Sequence, residues 1–227
     1  MTAQDLSCAV ILVAAGSGER LGAAVPKAFV CVGGRTLLEH AAERFRGHPA
    51  VREMCVVAPQ DQVHEARGLT ARTNAVVVAG GATRQESVSA GLAALTSDAA
   101  FVLVHDVARP FVPVEVIDHV VAALRAGADG AIPVVPIHDT VRRVDGAGEF
   151  VGVVDRSELV AVQTPQGFRR SALIDAHEAG RALRVTDDAA LVEAAGGRVV
   201  AVPGADAAFK ITRPWDLAVA EAVAGGV

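Results

Sequence analysis

Residues 8–22 have the sequence CAVILVAAGSGERLG. The first seven residues of this stretch are continuously apolar, which is typical of a parallel strand that is buried on both faces. The glycines that follow predict a tight turn at the carboxyl end of that strand, where open α/β sheets bind their ligands. This stretch therefore predicts an α/β fold with a ligand site at its first loop.

The rest of the chain alternates short apolar segments with longer amphipathic ones. Further strands are expected at 54–58, 75–79, 101–104, 131–135 and 198–202. Helices are expected at 36–46, 60–72, 83–95, 113–125, 171–181, 187–195 and 214–223. Thr36 with Glu39, and Thr83 with Glu86, have the spacing of a capping box at a helix start. The alternation predicts a mostly parallel sheet flanked by helices.

The pattern changes after Pro136. Residues 140–154 contain two short β-prone segments around an Asp-Gly-Ala-Gly turn, which predicts a hairpin. We expect residues 1–227 to form a single domain, with this β-arm inserted at about 138–160. Because a projecting hairpin leaves strand edges uncovered, a homodimer that pairs through the arm is expected.

The composition excludes several classes of protein. Apolar residues make up 52% of the chain and aromatic residues only 4%, so the core has to be built from aliphatic side chains. The net charge of −5 argues against a nucleic-acid partner, although a local group of cations can still bind a small anion.

The chain start and the cysteines indicate the compartment. The N-terminal residues lack a basic, apolar leader, and no apolar run reaches the roughly 18 residues that span a bilayer. Cys8, Cys31 and Cys55 lie far apart, so we expect reduced and mostly buried thiols instead of a disulfide framework or a zinc site. A cytoplasmic protein with no membrane partner is expected.

The glycine-rich loop after the first strand has four interpretations. A dinucleotide fingerprint is broken at Leu21, and a Walker A loop needs a lysine after Gly22. A loop that binds a nucleoside triphosphate fits better, because Arg20 and Lys27 supply two cations beside backbone N–H groups that bind anions. A plain tight turn is the structural alternative.

A second glycine-rich turn lies at residues 80–87, with the sequence GGATRQES. It follows a predicted strand and leads into a predicted helix. Gly80 and Gly81 leave backbone groups open to the edge of a base, and Ser87 lies beside them in the first helical turn. A simple helix cap would produce the same pattern.

A third motif, VHDVARP, occupies residues 104–110. Its Asp106 follows a buried strand, which is an ordinary position for a carboxylate that holds Mg²⁺ together with phosphate oxygens. We expect His105 to be a structural, hydrogen-bonded residue, because no second His or Cys stands at metal-ligand spacing.

Together these motifs closely resemble the family of 2-C-methyl-D-erythritol 4-phosphate cytidylyltransferases. The first loop alone would mark only the wider nucleotidyltransferase superfamily, whereas the later motifs specify the family. Those later motifs, in chain order over nearly the whole chain, lie at 139–140, 154–156, 163–166, 186–188 and 209–212. Val107 and Phe209 depart from the expected pattern and leave the charged positions intact.

The resemblance implies a Rossmann-like nucleotidyltransferase fold and a partner pair, CTP and 2-C-methyl-D-erythritol 4-phosphate. It implies that CMP moves onto the acceptor phosphate, that pyrophosphate leaves, and that Mg²⁺ is the cofactor, with Asp106 near the metal and the ribose. Arg20 and Lys27 would stabilise charge on the triphosphate, while Arg156 and Lys210 would position the acceptor phosphate. The other implied substrate contacts are Ala14, Ala15, Gly16, Gly18, Gly80, Gly81, Ser87, Arg109, Thr140, Thr164 and Thr186.

This chemistry agrees with the residue types in the motifs. The attacking group is already a phosphate anion, so positioning and charge stabilisation are needed and a general base is not. Three alternatives stand beside it: another small-molecule nucleotidyltransferase that acts on a sugar phosphate or a molybdenum cofactor, a nicotinamide-dependent oxidoreductase, and a non-catalytic nucleotide sensor. Arg156 and Lys210 argue against the first alternative, and Leu21 argues against the second.

Overall fold

The structure is a computed structural model that describes residues 6–16 and 25–226. The strands within these ranges are β1 (Cys8–Val13), β2 (Cys31–Val32), β3 (Arg35–Thr36), β4 (Val51–Ala58), β5 (Val76–Ala79), β6 (Phe101–Asp106), β7 (Gly130–Pro136), β8 (Val141–Val144), β9 (Phe150–Val154), β10 (Val160–Val162), β11 (Gln166–Arg169) and β12 (Val199–Pro203). The helices are α1 (Leu37–Phe45), α2 (Val63–Leu69), α3 (Arg84–Ala94), α4 (Val114–Arg125), α5 (Arg170–Ala179), α6 (Asp188–Ala194) and α7 (Pro214–Ala224).

The central sheet has the predicted, mostly parallel character. Its strand order is β10-β7-β11-β6-β1-β4-β5, and β12 pairs with β7. Strand β1 is parallel to both β4 and β6, and β4 is parallel to β5. The register aligns Val13 with Asp106 on one side and with Val57 on the other. The loops after β1, β5 and β6 therefore open at the same edge of the sheet.

Helices cover both faces of the sheet. Successive side chains of a strand point to opposite faces, so the apolar run of β1 contributes to two cores. Val10 and Leu12 pack in the core that includes α1, α2, α4 and α7, whereas Ile11 packs in the core that includes α3, α5 and α6. The prediction that β1 is buried on both faces is confirmed.

Local signals set two helix starts as predicted. Thr36 and Glu39 form a reciprocal capping box, with Thr36 N donating to the Glu39 carboxylate at 2.8 Å. Thr83 and Glu86 form the second box at the start of α3. The helix expected at 60–72 is shorter, because 3₁₀ turns at 60–62 and 71–73 flank α2.

The predicted β-arm is present as a separate antiparallel hairpin of β8 and β9. Strands β10 and β11, in contrast, were missed by the sequence prediction. Both run antiparallel to β7, and β11 also pairs antiparallel with β6. The four residues of β11, QGFR, have no apolar alternation to mark them, since this strand is specified by its two neighbours.

No helix within the described ranges has both the length and the apolar character to cross a membrane. The three cysteines are free thiols. Burial raises the pKa of Cys8 and of Cys55 to about 12. Cys8 and Cys55 are buried, in agreement with the expectation of mostly buried thiols, whereas Cys31 in the short β2–β3 hairpin is exposed.

Candidate active site

A cavity of about 730 Å³ opens at the edge where β1, β5 and β6 end. Four separate segments supply its walls: the residues after β1, the turn at Lys27, the loop into α3, and the residues that follow β6. Lys210 completes the lining from the C-terminal part of the chain. The full lining is Val13, Ala14, Ala15, Gly16, Lys27, Ala28, Gly81, Ala82, Thr83, Arg84, Ser87, Asp106, Val107, Ala108 and Lys210.

The two glycine-rich loops touch each other at Gly80. A Cβ built on Gly80 would lie 2.6 Å from the Cβ of Ala15 and 2.8 Å from Oγ of Ser87. Next to it, Gly81 N donates to Oγ of the buried Ser87 at 3.2 Å, and that hydroxyl donates to Thr83 O at 2.9 Å. The residues predicted to read a base are thus assembled directly against the first loop.

Asp106 lies between two cations. Lys210 Nζ is 2.6 Å from its Oδ2, and Arg84 Nε is 3.5 Å from its Oδ1. Burial alone would raise the pKa of Asp106, but the charges of Arg84 and Lys210 outweigh it and hold that pKa well below its usual range. The cavity therefore contains an ionised carboxylate.

His105 and Thr164 lie behind Asp106. Thr164 Oγ1 accepts a hydrogen bond from Asp106 N at 3.1 Å and lies 3.0 Å from His105 Nδ1. His105 Nε2 lies 3.1 Å from Arg109 O, and burial lowers the pKa of His105 to about 4. A neutral imidazole with its proton on Nε2 satisfies both contacts. The structural role predicted for His105 is confirmed, and Thr164 supports Asp106 from below the cavity.

Arg109 supports the site without lining the cavity. Its Nη1 donates to Ala208 O at 2.7 Å, and its Nη2 donates to Val162 O at 3.0 Å. A backbone hydrogen bond of 2.8 Å from Ile211 N to Ala108 O lies beside it. These bonds fix the segment that presents Lys210 to the cavity.

Three predicted contact residues lie elsewhere. Arg156 lines a second cavity of about 460 Å³ at the base of the arm, and its guanidinium donates to His138 O. Thr140, before β8, and Thr186, before α6, are exposed. Two further predicted residues, Gly18 and Arg20, lie outside the described residues.

Two charged residues at the site, Arg84 and Asp188, were not predicted from the sequence. Arg84 lines the cavity, and its Nη1 bonds to Oδ2 of Asp188, whose side chain is 1% exposed. Arg84 stands inside the GGATRQES motif, but its partner is 104 residues away. Only the fold brings the two together.

The scarcity of lysine in the chain is a further signal of the site. The chain has two lysines, Lys27 and Lys210, and both line the cavity. With Arg84 they give the described lining three cations against one carboxylate, Asp106. A locally cationic pocket thus exists in a chain whose net charge is −5, and such a pocket suits a triphosphate.

The donor set fits a divalent cation that is bound mainly by its substrate. Among residues 6–16 and 25–226, no group of three or more His, Cys, Asp or Glu side chains could hold a metal ion alone. Mg²⁺ commonly takes one or two protein carboxylates and draws its other ligands from phosphates and water. Asp106 is an ionised carboxylate in a pocket with room for phosphates, so it meets that requirement.

A cationic, glycine-lined pocket at the carboxyl edge of a Rossmann-like sheet defines a nucleotidyltransferase. The described lining contains no Cys or His, which agrees with chemistry that depends on charge and positioning. More specifically, the chain belongs to the 2-C-methyl-D-erythritol 4-phosphate cytidylyltransferase family, whose model matches residues 8–225. The family acts in isoprenoid biosynthesis and uses a divalent cation.

Individual relatives agree with this assignment. A 2-C-methyl-D-erythritol 4-phosphate cytidylyltransferase from Streptomyces avermitilis is 48% identical, over 95% of this chain and 90% of its own length. A bifunctional enzyme IspD/IspF from Clavibacter michiganensis is 51% identical over 93% of this chain, which spans 53% of that longer protein. The crystal structure of the Thermus thermophilus enzyme superposes with a TM-score of 0.81 at 41% identity, covering 95% of this chain and 98% of that one. The predicted family, fold and class of activity are confirmed.

Proposed function

We propose that this chain transfers CMP from CTP onto the phosphate of 2-C-methyl-D-erythritol 4-phosphate in the cavity beside Asp106. Pyrophosphate is the other product. The observation that carries the proposal is the convergence of both lysines of the chain, Lys27 and Lys210, on one cavity with an ionised carboxylate. Two anionic substrates can be brought together only where such cations offset their repulsion.

The cytidine would occupy the side of the cavity formed by the two glycine-rich loops. Residues 14–16 would run beneath the base and sugar. The carbonyls of Gly80 and Gly81 would face the edge of the cytosine, because both N–H groups already bond within the protein, to Ala58 O and Ser87 Oγ. Ser87 supports this arrangement, because its hydroxyl is already fixed by hydrogen bonds to Gly81 N and Thr83 O. A rigid set of donors and acceptors is what discrimination between bases requires.

The triphosphate would extend toward Lys27. Lys27 and Arg20 would stabilise the negative charge that grows on the departing pyrophosphate, and Asp106 would be the carboxylate that holds Mg²⁺ together with the phosphates. When bound, Mg²⁺ neutralises part of the triphosphate charge and orients the α-phosphate.

The acceptor phosphate would meet Lys210 on the other side of Asp106. An oxygen of that phosphate attacks the α-phosphorus of CTP, the new phosphoanhydride bond forms, and the bond to the β-phosphate breaks. The attacking oxygen already carries negative charge, so no proton has to be removed. Thr164 and Arg109 are proposed as supports on this side. Thr140 and Thr186, which do not line the cavity, are proposed as further substrate contacts.

A pyrophosphate-release assay tests the proposal. We expect turnover with CTP, Mg²⁺ and 2-C-methyl-D-erythritol 4-phosphate, and far less turnover when ATP, GTP or UTP replaces CTP. Excess chelator should abolish turnover, and added Mg²⁺ should restore it. Pyrophosphate release from CTP with a sugar phosphate or another acceptor, but not with 2-C-methyl-D-erythritol 4-phosphate, would refute the proposal in favour of another nucleotidyltransferase.

We also propose that residues 1–227 act as one nucleotidyltransferase domain that dimerises through the arm at about 138–160. The support is an exposed apolar surface on the hairpin. Its members are Val144 at 54%, Phe150 at 65%, Val151 at 60% and Val153 at 63% exposed. Arg156 lies at the base of this arm and lines a different cavity from Lys210, so its proposed contact with the acceptor phosphate would be made in the partner's active site.

Mixing two inactive variants tests this arrangement. Lys27→Ala and Arg156→Ala are each expected to be nearly inactive as homodimers. If Arg156 acts across the interface, random reassembly of equal amounts should restore about a quarter of wild-type activity, since each mixed dimer regains one intact site. A monomeric mass in solution, or no recovery on mixing, would contradict the shared site.

A further inference from the structure

A chain of polar groups, with Asp188 and His177 buried at its centre, lies directly behind the cavity. Asp188 uses both of its carboxylate oxygens: Oδ2 accepts from Arg84 Nη1, and Oδ1 lies 2.9 Å from His177 Nε2. The side chains of Asp188 and His177 are only 1% and 5% exposed. His177 Nδ1 is in turn 3.0 Å from Ser89 Oγ. These four residues connect α3, α5 and α6 on one face of the sheet.

Arg84 joins this buried chain to the cavity. Its Nη1 faces Asp188, while its Nε faces Oδ1 of Asp106 at 3.5 Å. The guanidinium is planar and rigid, so a carboxylate that fixes one edge also fixes the direction of the other. Lys210 approaches the opposite oxygen of Asp106, Oδ2. Asp106 therefore has one oxygen beside an immobilised arginine and the other beside an exposed lysine.

Asp188 cannot touch a substrate itself, because it is enclosed by its two partners. It also begins α6, next to Asp187, whose Oδ2 accepts from Gln166 Nε2 at 2.8 Å. Both aspartates are thus turned into the protein, and neither is available to the cavity. What Asp188 can do is fix the guanidinium of Arg84 in its place beside the cavity carboxylate.

We propose that Asp188, acting through Arg84, is a positioning residue for the Asp106 carboxylate. This inference rests on the proposed function, in which Asp106 faces the nucleotide and its cation. Without the charge of Asp188, the guanidinium loses the bond that fixes its direction. The Oδ1 of Asp106 is then no longer held in the orientation that the substrate and cation require.

The kinetic test distinguishes a positioning role from a purely stabilising one. Arg84→Gln leaves the buried charge of Asp188 without its arginine, and Asp188→Asn leaves Arg84 with one carboxylate neighbour in place of two, so both variants should unfold at a lower temperature. The double variant removes both charges and should recover most of the thermal midpoint. We expect its kcat/KM to stay 10- to 100-fold below that of the wild type, as for other groups that orient a ligand from behind. Asp188→Glu should recover part of the activity of Asp188→Asn.

Asp129→Asn is the matched control. Asp129 also accepts from an arginine, with Arg169 Nε at 3.3 Å, and from Arg198 N at 3.0 Å. It precedes β7 and is not among the lining residues of the cavity. The control should lose stability and keep wild-type kcat/KM. If the double variant at Arg84 and Asp188 regains activity together with its thermal midpoint, the ion pair contributes only to stability and the positioning inference is wrong.

A measurement without substrate keeps the inference distinct from the proposed function. In ¹⁵N-labelled protein the Nε–H of Arg84 should exchange slowly, and Asp188→Asn should shift its signal together with the ¹³C carboxylate signal of Asp106. Unchanged signals would overturn the positioning role, whatever the turnover. If the signals respond to Asp188→Asn in this way but the wild-type protein releases no pyrophosphate, the proposed function is overturned and the positioning inference is not.

Discussion

Gly80 is the point where the two loops proposed to hold cytidine are in contact. A Cβ at this position would lie 2.6 Å from Ala15 Cβ, 2.8 Å from Ser87 Oγ and 3.2 Å from Val57 Cγ1. Carbon atoms in ordinary contact are about 3.5–4.0 Å apart. Gly80→Ala therefore has to push the Ala15 segment and the Gly80 loop apart by about 1 Å.

This displacement sets the expected size of the effect. Overpacking of this kind costs about 1–3 kcal/mol of folding free energy, so the thermal midpoint should fall. A displacement of about 1 Å in a positioning element costs on the order of 100-fold in rate. We expect kcat/KM for CTP to fall by about that factor in a steady-state pyrophosphate-release assay.

Gly68→Ala is the control for this substitution. Gly68 lies in α2, away from the cavity lining, and a Cβ there meets nothing within 4 Å. Alanine is favoured over glycine inside a helix by about 0.5–1 kcal/mol, so this variant should gain stability and keep wild-type kinetics. If Gly80→Ala matches Gly68→Ala in both midpoint and kcat/KM, the proposed contact between the loops is wrong.

Three further substitutions test charge and protonation at the site. Lys27→Ala should lower kcat by about 100- to 1,000-fold while calorimetry still detects CTP binding, as expected for a group that stabilises charge in the transition state. Arg109→Met should lower the thermal midpoint, measured by circular dichroism, because Ala208 O and Val162 O lose their donor. The pKa of His105 falls from 6.5 to about 4 on folding, so the unfolded chain binds more protons between these values and acid destabilises the fold. About 2 kcal/mol should be lost from about pH 7 to about pH 5, and His105→Asn should lack this component.

The parts of the fold that local chemistry specifies could be predicted from the sequence. Strand β1 was evident from its uninterrupted apolar run, and the starts of α1 and α3 from reciprocal capping boxes. Strands β10 and β11 could not be recognised in this way. Gly167, in the middle of β11, packs against Val120 of α4, so its strand conformation depends on a helix that is distant in sequence.

The residues of the candidate site were likewise predictable only where local sequence determines their position. Residues at or just after the ends of strands, such as Asp106 and Gly81, were predictable because the carboxyl ends of parallel strands meet at one edge. The role of Arg84 was not, because it depends on Asp188 in another helix. Arg109 was predicted as a substrate contact from its motif, whereas the structure shows its guanidinium bonded to two backbone carbonyls. A motif identifies which residues are near a site but does not give the direction of each side chain.

The distribution of the two basic residue types around the cavity has a physical explanation. Arg84 is held between two carboxylates and Arg109 between two carbonyls. The planar fork of arginine suits fixed, multidentate bonds of this kind, whereas lysine carries a compact charge on a flexible stem. In the proposed reaction, Lys210, which is 40% exposed, would leave Asp106 and follow the attacking phosphate. The chain has only two lysines and both line the cavity, so the proposed reaction would draw its adaptable positive charge from them, while Arg84 and Arg109 hold the surrounding segments in place.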